Sequence, residues 1–513
     1  MNIMKYKISI GIIGIFCFAL LFNGCTKDFL DVNPVGKMAE QDFYKTDDDA
    51  LAAVIAAYDI LQWANARDWN SAYLAKTLPS DESYAGGGNA GDQVPYQELD
   101  VFTYGAGNPV ITSVFQSNYY GIYRANKVIN NVEPETEVRE KIIAEAKALR
   151  AYFYFELVSM FGDVPLMLEE PAPSEYAQPT VSKTEIYAQI EKDLNEAIAV
   201  LPLKSEYMAG DQFRCSKGMA QALLGKAYLF QEKWSDAADI FDLVIESGEY
   251  DLEEDYSTLF RKETEFGVES IFEVSYSSDM GYDWGTFQWG GNRAMENNIH
   301  WQLCGPRGDY LDPGSTGLIG GWGFNNPAAE CWEPFITAGD TVRRKATLIS
   351  EAELEAAGGS WANADAWGYD GYFRIKYSTI ADETNVANGA VDALNYGTNL
   401  RLLRFGDVLL MAAEAHYRNG ASGTAETYIN RVRERANLGP VSGDLFEAIV
   451  LERQCELAFE GVRFLDLVRW GLADNVLSGF GFTSNKNELY PIPLDELTNN
   501  PNATQNLGYS VGE

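Results

Sequence analysis

Residues 224–241, LGKAYLFQEKWSDAADIF, contain the clearest structural pattern of the chain. Five positions match the spacing of a tetratricopeptide repeat: Leu224, Gly225, Tyr228, Ala237 and Phe241. In this repeat, small residues allow two antiparallel helices to approach each other closely. The stretch therefore predicts a pair of packed helices.

A weaker copy of this pattern occurs much later in the chain. Its five positions are Ala412, Ala413, His416, Ala425 and Ile429, with a turn at Asn419-Gly420. His416 occupies a large helix-contact position, so we interpret it as a packed histidine and not as a base or a metal ligand. A regular solenoid would place its repeats about 34 residues apart. The wide separation of the two copies therefore predicts helix pairs around a large insertion.

The rest of the chain also shows helical periodicity. From Ile142 to Phe161, apolar residues recur every three or four positions, and Gly162 ends the pattern. Similar patterns occupy residues 42–63, 113–132, 183–201, 217–230, 235–246, 402–418, 423–436 and 445–470. We therefore predict a mainly α protein whose helical body spans about 40–270 and 401–470.

The predicted insertion, about 276–400, is rich in glycine and tryptophan. Glycines flank the tryptophans in the stretches 283–291 (DWGTFQWGG) and 320–327 (GGWGFNNP). Glycines cannot bury these rings locally, so the loops either fold onto the helical body or display the rings. A second glycine-rich loop, 84–92 (YAGGGNAGD), lies between early helices. Residues 471–513 are expected to form an extended C-terminal segment.

The composition excludes several classes of function. The 513 residues hold 39 Lys and Arg against 75 Asp and Glu, and the net charge of -36 disfavours binding to nucleic acid. The chain has only two histidines and no Cys/His ligand spacing. We therefore expect no zinc or His-rich metal site, no cofactor and no Ser-His-Asp triad, and we name no metal ligand; the sequence leaves a calcium site among the acidic residues open.

The first 24 residues have the features of a lipoprotein signal peptide. Lys5 and Lys7 precede an apolar run from Ile8 to Phe22 that is too short to span well as a retained helix. Gly24 directly precedes Cys25, so we predict cleavage there and acylation of Cys25, which would anchor the mature chain to a membrane. The alternative is an ordinary secretory signal that is cut nearby.

Four cysteines follow Cys25: Cys215, Cys304, Cys331 and Cys455. Export would place them in a compartment that permits disulfides. Cys304 and Cys331 both lie in the glycine-rich insertion and are candidates for a disulfide. Cys215 and Cys455 flank helical patterns, and we interpret them as buried thiols.

Several motifs, in their order along the chain, resemble those of one family, the SusD/RagB outer-membrane lipoproteins of glycan-uptake systems. In the first half they are 25–34 (CTKDFLDVNP), 124–129 (RANKVI), 145–157 (EAKALRAYFYFEL) and 161–166 (FGDVPL). In the second half they are 403–415 (LRFGDVLLMAAEA), 452–470 (ERQCELAFEGVRFLDLVRW), 489–493 (LYPIP) and 505–509 (QNLGY). One position departs from the family pattern, because Leu507 stands where proline is common.

The resemblance implies a SusD-like fold, with four tetratricopeptide-like helix pairs in a single mature domain over residues 25–513. It implies a lipid-anchored protein on the exterior of the outer membrane that acts as the lid of a TonB-dependent, SusC-like transporter. Such a protein captures an oligosaccharide and delivers it to the transporter without breaking a bond. In this family the glycan site lies largely on loops outside the repeats.

A sugar-binding site needs flat aromatic rings for the C–H faces of a pyranose and polar side chains for its hydroxyls. The family resemblance places a stacking ring just after the Ser-Asp-Glu stretch, where Tyr84 is the available ring. Asn89 and Asp81 would then contact hydroxyls. Asp81 also fits the role of a turn cap.

The tryptophans of the insertion supply the other candidates. Trp284, Trp289 and Trp322 have adjacent glycines that would let a ligand approach their rings. Asn292 and Arg293 follow Trp289 closely and could reach hydroxyls. We expect at least one of the three rings to stack on sugar, although each one alone also fits a packed loop anchor.

A dense run of charges could suggest a catalytic acid/base pair: Glu452, Arg453, Glu456, Glu460, Arg463, Asp466 and Arg469. Opposite charges three positions apart, as in Glu460 with Arg463 and Asp466 with Arg469, instead predict ion pairs along one helix. The run Asp47–Asp49 is expected near a helix N-terminus. A protein-interaction or peptide-binding scaffold and an all-helical glycosidase remain alternatives to the glycan-capture function.

Overall fold

The computed structural model describes residues 43–67, 69–170, 176–288 and 295–510. The predicted signal peptide, Cys25, Trp289, Asn292 and Arg293 lie outside these residues. The described helices are α1 (Asp47–Gln62), α2 (Ala72–Thr77), α3 (Val94–Asp100), α4 (Pro109–Asn131), α5 (Glu137–Phe161), α6 (Lys183–Ile198), α7 (Lys217–Phe230), α8 (Trp234–Ile245), α9 (Ile299–Cys304), α10 (Ala329–Ala338), α11 (Thr341–Thr347), α12 (Glu351–Ala356), α13 (Phe405–Arg418), α14 (Ser422–Arg435), α15 (Leu445–Leu457), α16 (Arg463–Arg469), α17 (Ala473–Leu477) and α18 (Leu494–Asn499). The prediction of a mainly α fold is confirmed.

Short antiparallel strand pairs connect the loops. The described strands are β1 (Ser83–Gly86), β2 (Val164–Pro165), β3 (Thr180–Val181), β4 (Ser270–Val274), β5 (Leu311–Asp312), β6 (Phe324–Pro327), β7 (Leu348–Ser350), β8 (Ser360–Trp361), β9 (Tyr372–Arg374) and β10 (Leu400–Arg404). They pair as β1–β6, β2–β3, β4–β10, β5–β8 and β7–β9. The β4–β10 pair joins the two ends of the insertion, so the insertion leaves and re-enters the helical body at one place.

The N-terminal ends of the helices follow ordinary capping rules. The hydroxyl of Thr46 accepts a hydrogen bond from the backbone N–H of Asp49 at 3.1 Å, and the Asp49 carboxylate accepts one from the Thr46 N–H at 3.0 Å. This capping box begins α1, and the acidic run lies in the first turn, where the helix dipole favours negative charge. The placement of Asp47–Asp49 is therefore confirmed.

The helical body consists of packed helix pairs. Helices α7 and α8 form the predicted pair, and α13 packs with α14, α5 with α6 and α1 with α4. In the second predicted pair, Nε2 of His416 lies 3.0 Å from a carboxylate oxygen of Asp242 on α8, and its ring contacts the Tyr428 ring. His416 is thus a packed residue between helix pairs, as predicted.

Gly225 permits the close contact between α7 and α8. A Cβ atom at this position would lie 2.5 Å from the ring of Phe241, which is fully buried. We expect Gly225→Ala to lower the free energy of unfolding by about 1–3 kcal/mol, because the ring has no space to move into. Urea unfolding measures this change. The control is Gly423→Ala on α14, whose added Cβ meets nothing within 4 Å; equal stability of the two variants would contradict the explanation.

Two segments differ from the sequence prediction. The predicted helix over 445–470 is broken, because Phe459 and Gly461 have left-handed φ angles of +60° and +74°. Glu460 and Arg463 therefore lie on opposite sides of a turn and do not pair with each other, whereas the predicted pair of Asp466 with Arg469 is present at 2.9 Å. The C-terminal segment, expected to be extended, contains α17 and α18.

A buried ion network joins the insertion to the helical body. Its carboxylates are Glu269, Asp340, Glu452, Glu456 and Glu460, and its cations are Arg343, Lys376, Arg404, Arg433 and Arg435. Glu456, at the centre, accepts from Arg343, Arg404 and Arg435. Burial alone would raise the pKa of Glu456, but the three guanidinium groups outweigh it and hold this pKa far below its ordinary value.

The four described cysteines are free and buried. Cys304 lies in the main core, whereas Cys331 lies in a smaller core with Cys455, so the described chain has no disulfide between Cys304 and Cys331. None of the helices within the described ranges combines the length and apolar character needed to cross a membrane. The described part of the chain also has no group of three or more His, Cys, Asp or Glu side chains arranged to hold a metal ion.

Candidate functional site

Tyr84 lies on β1, where it pairs with Asn326 on β6. The ring is partly exposed. Partial burial, and next the nearby carboxylate of Asp370, raise the pKa of Tyr84 well above its ordinary value. The hydroxyl therefore keeps its proton at neutral pH and makes a hydrogen bond with the Asp370 carboxylate.

The glycines after Tyr84 are required by close backbone contacts. The N–H of Gly87 donates to the carbonyl of Gly323 at 2.6 Å, and a Cβ at Gly86 would lie 2.2 Å from the same oxygen. Both glycines also have left-handed φ angles. The loop 84–92 is thereby held against the loop 320–323, which carries Trp322.

Asn89 lies at the exposed tip of its loop. Its side-chain oxygen accepts a hydrogen bond from the N–H of Gly91 at 2.8 Å, so the side chain shapes the turn and also faces solvent. Gln97, on α3, donates to the Gly86 carbonyl at 2.9 Å and accepts from the indole N–H of Trp367 at 3.0 Å. Trp367 is 47% exposed. Gln97 therefore holds a second exposed ring beside the loop of Tyr84.

Two tryptophans of the insertion, Trp284 and Trp322, belong to one aromatic cluster. Trp284 is 51% exposed, and its ring contacts Phe287 edge-on at a centroid distance of 5.5 Å. Phe287 contacts Trp322 at 6.2 Å, and Trp322 contacts Trp69, which is nearly buried, at 5.5 Å. Trp69 and Phe287 thus pack against Trp322, and Phe287 also packs against Trp284.

Arg307 lies between these two groups of rings. Its Nη1 is 3.5 Å from the carbonyl of Trp322, and its guanidinium is close to Gly88. Its Nε lies 3.3 Å from a carboxylate oxygen of Asp309, and its side chain is 29% exposed. A partly exposed guanidinium beside aromatic rings can donate hydrogen bonds to hydroxyl groups of a ligand.

Asp81 does not belong to this surface. Its side chain is buried, and its two oxygens accept from Nε and Nη2 of Arg463 at 2.8 and 2.7 Å. This bidentate pair leaves Asp81 directed into the protein, away from solvent. Its candidate role as a hydroxyl contact is therefore corrected to that of a buried ion-pair partner.

Two buried carboxyl groups flank β1. Burial raises the pKa of Asp100 to about 6, although its carboxylate accepts the N–H of Ala85 at 2.8 Å. Burial, and next the charge of Asp81, raise the pKa of Glu82 to about 8. Glu82 is therefore largely protonated at neutral pH. The strand that positions Tyr84 is thus flanked by two carboxyl groups, those of Asp100 and Glu82, whose pKa values are about 6 and about 8.

Loops in contact with one another carry six candidate residues, and we call this region the glycine-loop surface: Tyr84, Asn89, Trp284, Arg307, Trp322 and Trp367. Asn89, Trp284 and Trp367 are exposed, and the other three are partly exposed. The contacts between its loops link Trp284 at one end to Trp367 at the other. Rings with accessible faces and polar side chains between them suit a neutral, hydroxyl-rich ligand. Trp367 and Arg307 were missed by the sequence prediction, although Trp367-Gly368 repeats the Trp-Gly signal of residues 284–285 and 322–323.

Comparisons with known proteins find the same family in both halves of the chain. A model of the SusD family matches residues 351–481, and a model described as starch-binding associating with outer membrane matches residues 28–229. A solved laminarin binding SusD-like protein is 34% identical, with 91% of this chain and 100% of that chain covered and a TM-score of 0.83.

Two further relatives cover nearly the whole chain. Surface glycan-binding protein A from Bacteroides thetaiotaomicron, solved in complex with laminarihexaose, is 26% identical, with 90% of this chain and all of that chain covered and a TM-score of 0.76. SusD-like protein P2 from Formosa agariphila is 28% identical over 98% of this chain and 99% of its own length. With the family matches in both halves and this likeness in sequence and fold, the chain belongs to the SusD/RagB family.

Proposed function

We propose that the protein is a non-catalytic binding protein for a neutral glycan, with β-glucans of the laminarin type as the first ligands to test. The observation that carries the proposal is the pair of half-exposed tryptophans, Trp284 and Trp367, on one surface with Tyr84 and Trp322. Two of the similar solved structures are a laminarin-binding protein and a laminarihexaose complex. The rings would stack on the sugar faces, and Asn89 and Arg307 would contact hydroxyls.

We further propose that acylation of Cys25 anchors the protein to the outer membrane, facing the cell exterior, and that it passes its ligand to a SusC-like, TonB-dependent transporter. Family membership supports both parts. The charge pattern of 452–469 supports binding without catalysis, because Glu452, Glu456 and Asp466 are buried and ion-paired. Trp289, Asn292 and Arg293 stay predicted members of the same site.

We expect Trp284→Ala and Trp367→Ala each to weaken laminarin binding at this surface about tenfold or more, and the double variant to lose binding at this surface, because stacked rings dominate such sites. Titration calorimetry with residues 26–513 measures the affinity. Tyr176→Ala, which removes a 63% exposed ring elsewhere, is the matched control and should bind as the wild type does.

Other outcomes would contradict the proposal. Release of sugar products during the titration would support the glycosidase alternative. A folded wild-type protein that binds no neutral polysaccharide in a panel would support the scaffold or peptide-binding alternative. Full binding by the double tryptophan variant would show that the glycan lies elsewhere on the protein.

A further inference from the structure

A second concave surface lies between α4 and α18. It encloses about 510 Å³, and its walls include Tyr119, Tyr120, Tyr123, Met167, Pro493 and Glu496. We call it the tyrosine groove. The groove is outside the glycine-loop surface, since none of the six residues of that surface lines it.

The groove exposes two large aromatic rings side by side. Tyr120 and Tyr123 are 47% and 46% exposed, and they lie three positions apart on α4. Residues at this spacing are neighbours on one helix face, with Cβ atoms about 5–6 Å apart. Neighbouring rings can therefore contact neighbouring units of a chain-like ligand. Tyr119, which directly precedes Tyr120, is fixed by donating its hydroxyl proton to the carbonyl of Pro165 at 2.7 Å.

The polar part of the groove is rich in hydrogen-bond acceptors. Glu169, Asp495 and Glu496 supply carboxylates, and Gln116 and Asn499 supply side-chain amides. Carboxylates accept hydrogen bonds from hydroxyl groups but repel anionic ligands. Aromatic rings with an acceptor-rich rim thus match a neutral polyhydroxylated ligand and disfavour sulfated or uronate polymers.

The groove is rigidly connected to the helix that supports the glycine loop. The side chain of Asn108, which caps α4, donates to the carbonyl of Pro95 at 3.1 Å and to the carboxylate of Glu98 at 2.8 Å, both on α3. Helix α3 also carries Gln97, which contacts Trp367. The two surfaces are therefore held at a fixed separation, so one long polymer that reached both would gain affinity from the second contact.

We propose that the tyrosine groove is a second glycan-binding site, which binds a further stretch of the same neutral polysaccharide. This inference rests on the proposed function. The glycine-loop surface binds the ligand on its own, and the tyrosine groove adds a second point of attachment for polymers.

The test separates the two sites by stoichiometry and ligand length. With laminaritriose, calorimetry should give two sites for the wild type and one site each for Tyr120→Ala/Tyr123→Ala and Trp284→Ala/Trp367→Ala. With polymeric laminarin, the tyrosine double variant should bind about tenfold more weakly than the wild type. Tyr120→Phe/Tyr123→Phe keeps the rings and should bind within about twofold of the wild type. Alginate, a uronate polymer, should not bind the groove.

Distinct results overturn the two proposals. If the tyrosine double variant binds laminarin and laminaritriose as the wild type does, the groove is not a glycan site. If the tryptophan double variant loses every site, the groove is again excluded while the proposed function stands. If the folded wild type binds neither ligand, the proposed function itself fails.

Discussion

Glu456→Gln is expected to lower the free energy of unfolding by about 3–5 kcal/mol. Glu456 is fully buried and accepts from three guanidinium groups, including Arg404 at 2.6 Å and Arg343 at 3.1 Å. Glutamine keeps the volume but removes the charge. The buried ion network has as many cations as carboxylates, so the variant leaves one positive charge uncompensated in a medium that solvates it poorly.

Three guanidinium groups around the side chain of Glu456 make this effect larger than that of an ordinary ion pair. Its backbone carbonyl also accepts from Tyr256 at 2.6 Å and from Nη2 of Arg404 at 2.8 Å. Arg343 lies on α11 of the insertion, whereas Arg404 and Arg435 belong to β10 and α14. Loss of the central charge should therefore loosen the attachment of the insertion to the helical body.

Urea unfolding followed by tryptophan fluorescence tests this expectation, because the insertion contains most of the tryptophans. Glu137→Gln is the control, since Glu137 pairs with Lys141 on an exposed face of α5. Surface pairs contribute little, so this variant should unfold as the wild type does. Equal unfolding midpoints for the two variants would show that the network is not a major source of stability.

The helix pairs could be predicted from the sequence because their signals are local. Small and large residues at fixed spacing define the contact of Gly225 with Phe241, and the Asn-Gly turn defines the second pair. The break between α15 and α16 was missed because the apolar pattern continues through it. Arg463 leaves the helix register to pair with Asp81, and a partner so distant in sequence has no local signal.

The candidate site could be predicted only in part. Tryptophans beside glycines in the insertion marked Trp284 and Trp322, of which Trp284 is exposed and Trp322 is partly buried, and their contact with a ligand stays a prediction. Asp81 was misplaced because an acidic residue next to a loop looks the same in sequence whether it faces solvent or an arginine. No local sequence pattern marks Arg307 as a site residue, because its place beside Trp322 and Gly88 depends on how separate loops pack together.

Glu82→Gln is expected to change the pH dependence of stability by about 5 kcal/mol. Glu82 is buried directly before β1, and one of its carboxyl oxygens has no hydrogen-bond partner among the described residues. The other accepts the N–H of Phe459 at 3.2 Å. Burial and the neighbouring Asp81 raise the pKa of Glu82 from 4.5 to about 8. Each pKa unit corresponds to about 1.4 kcal/mol of difference between the two protonation states.

The direction in which stability changes with pH follows from the binding of one proton to Glu82. Between pH 4.5 and about 8 the folded chain keeps the proton of Glu82 and the unfolded chain has lost it, so this group lowers stability steadily as the pH rises. Glutamine has no such proton. The stability of Glu82→Gln relative to the wild type should therefore increase from pH 4.5 to 8 and then stay constant. Other groups with a raised pKa, such as Asp100 and Glu265, affect the stability of both proteins equally. Their effects therefore cancel in the stability difference between the variant and the wild type. A difference that does not change with pH, measured by urea unfolding at each pH, would mean that Glu82 is ionised in the folded protein and that the loop of Tyr84 rests on a charged residue.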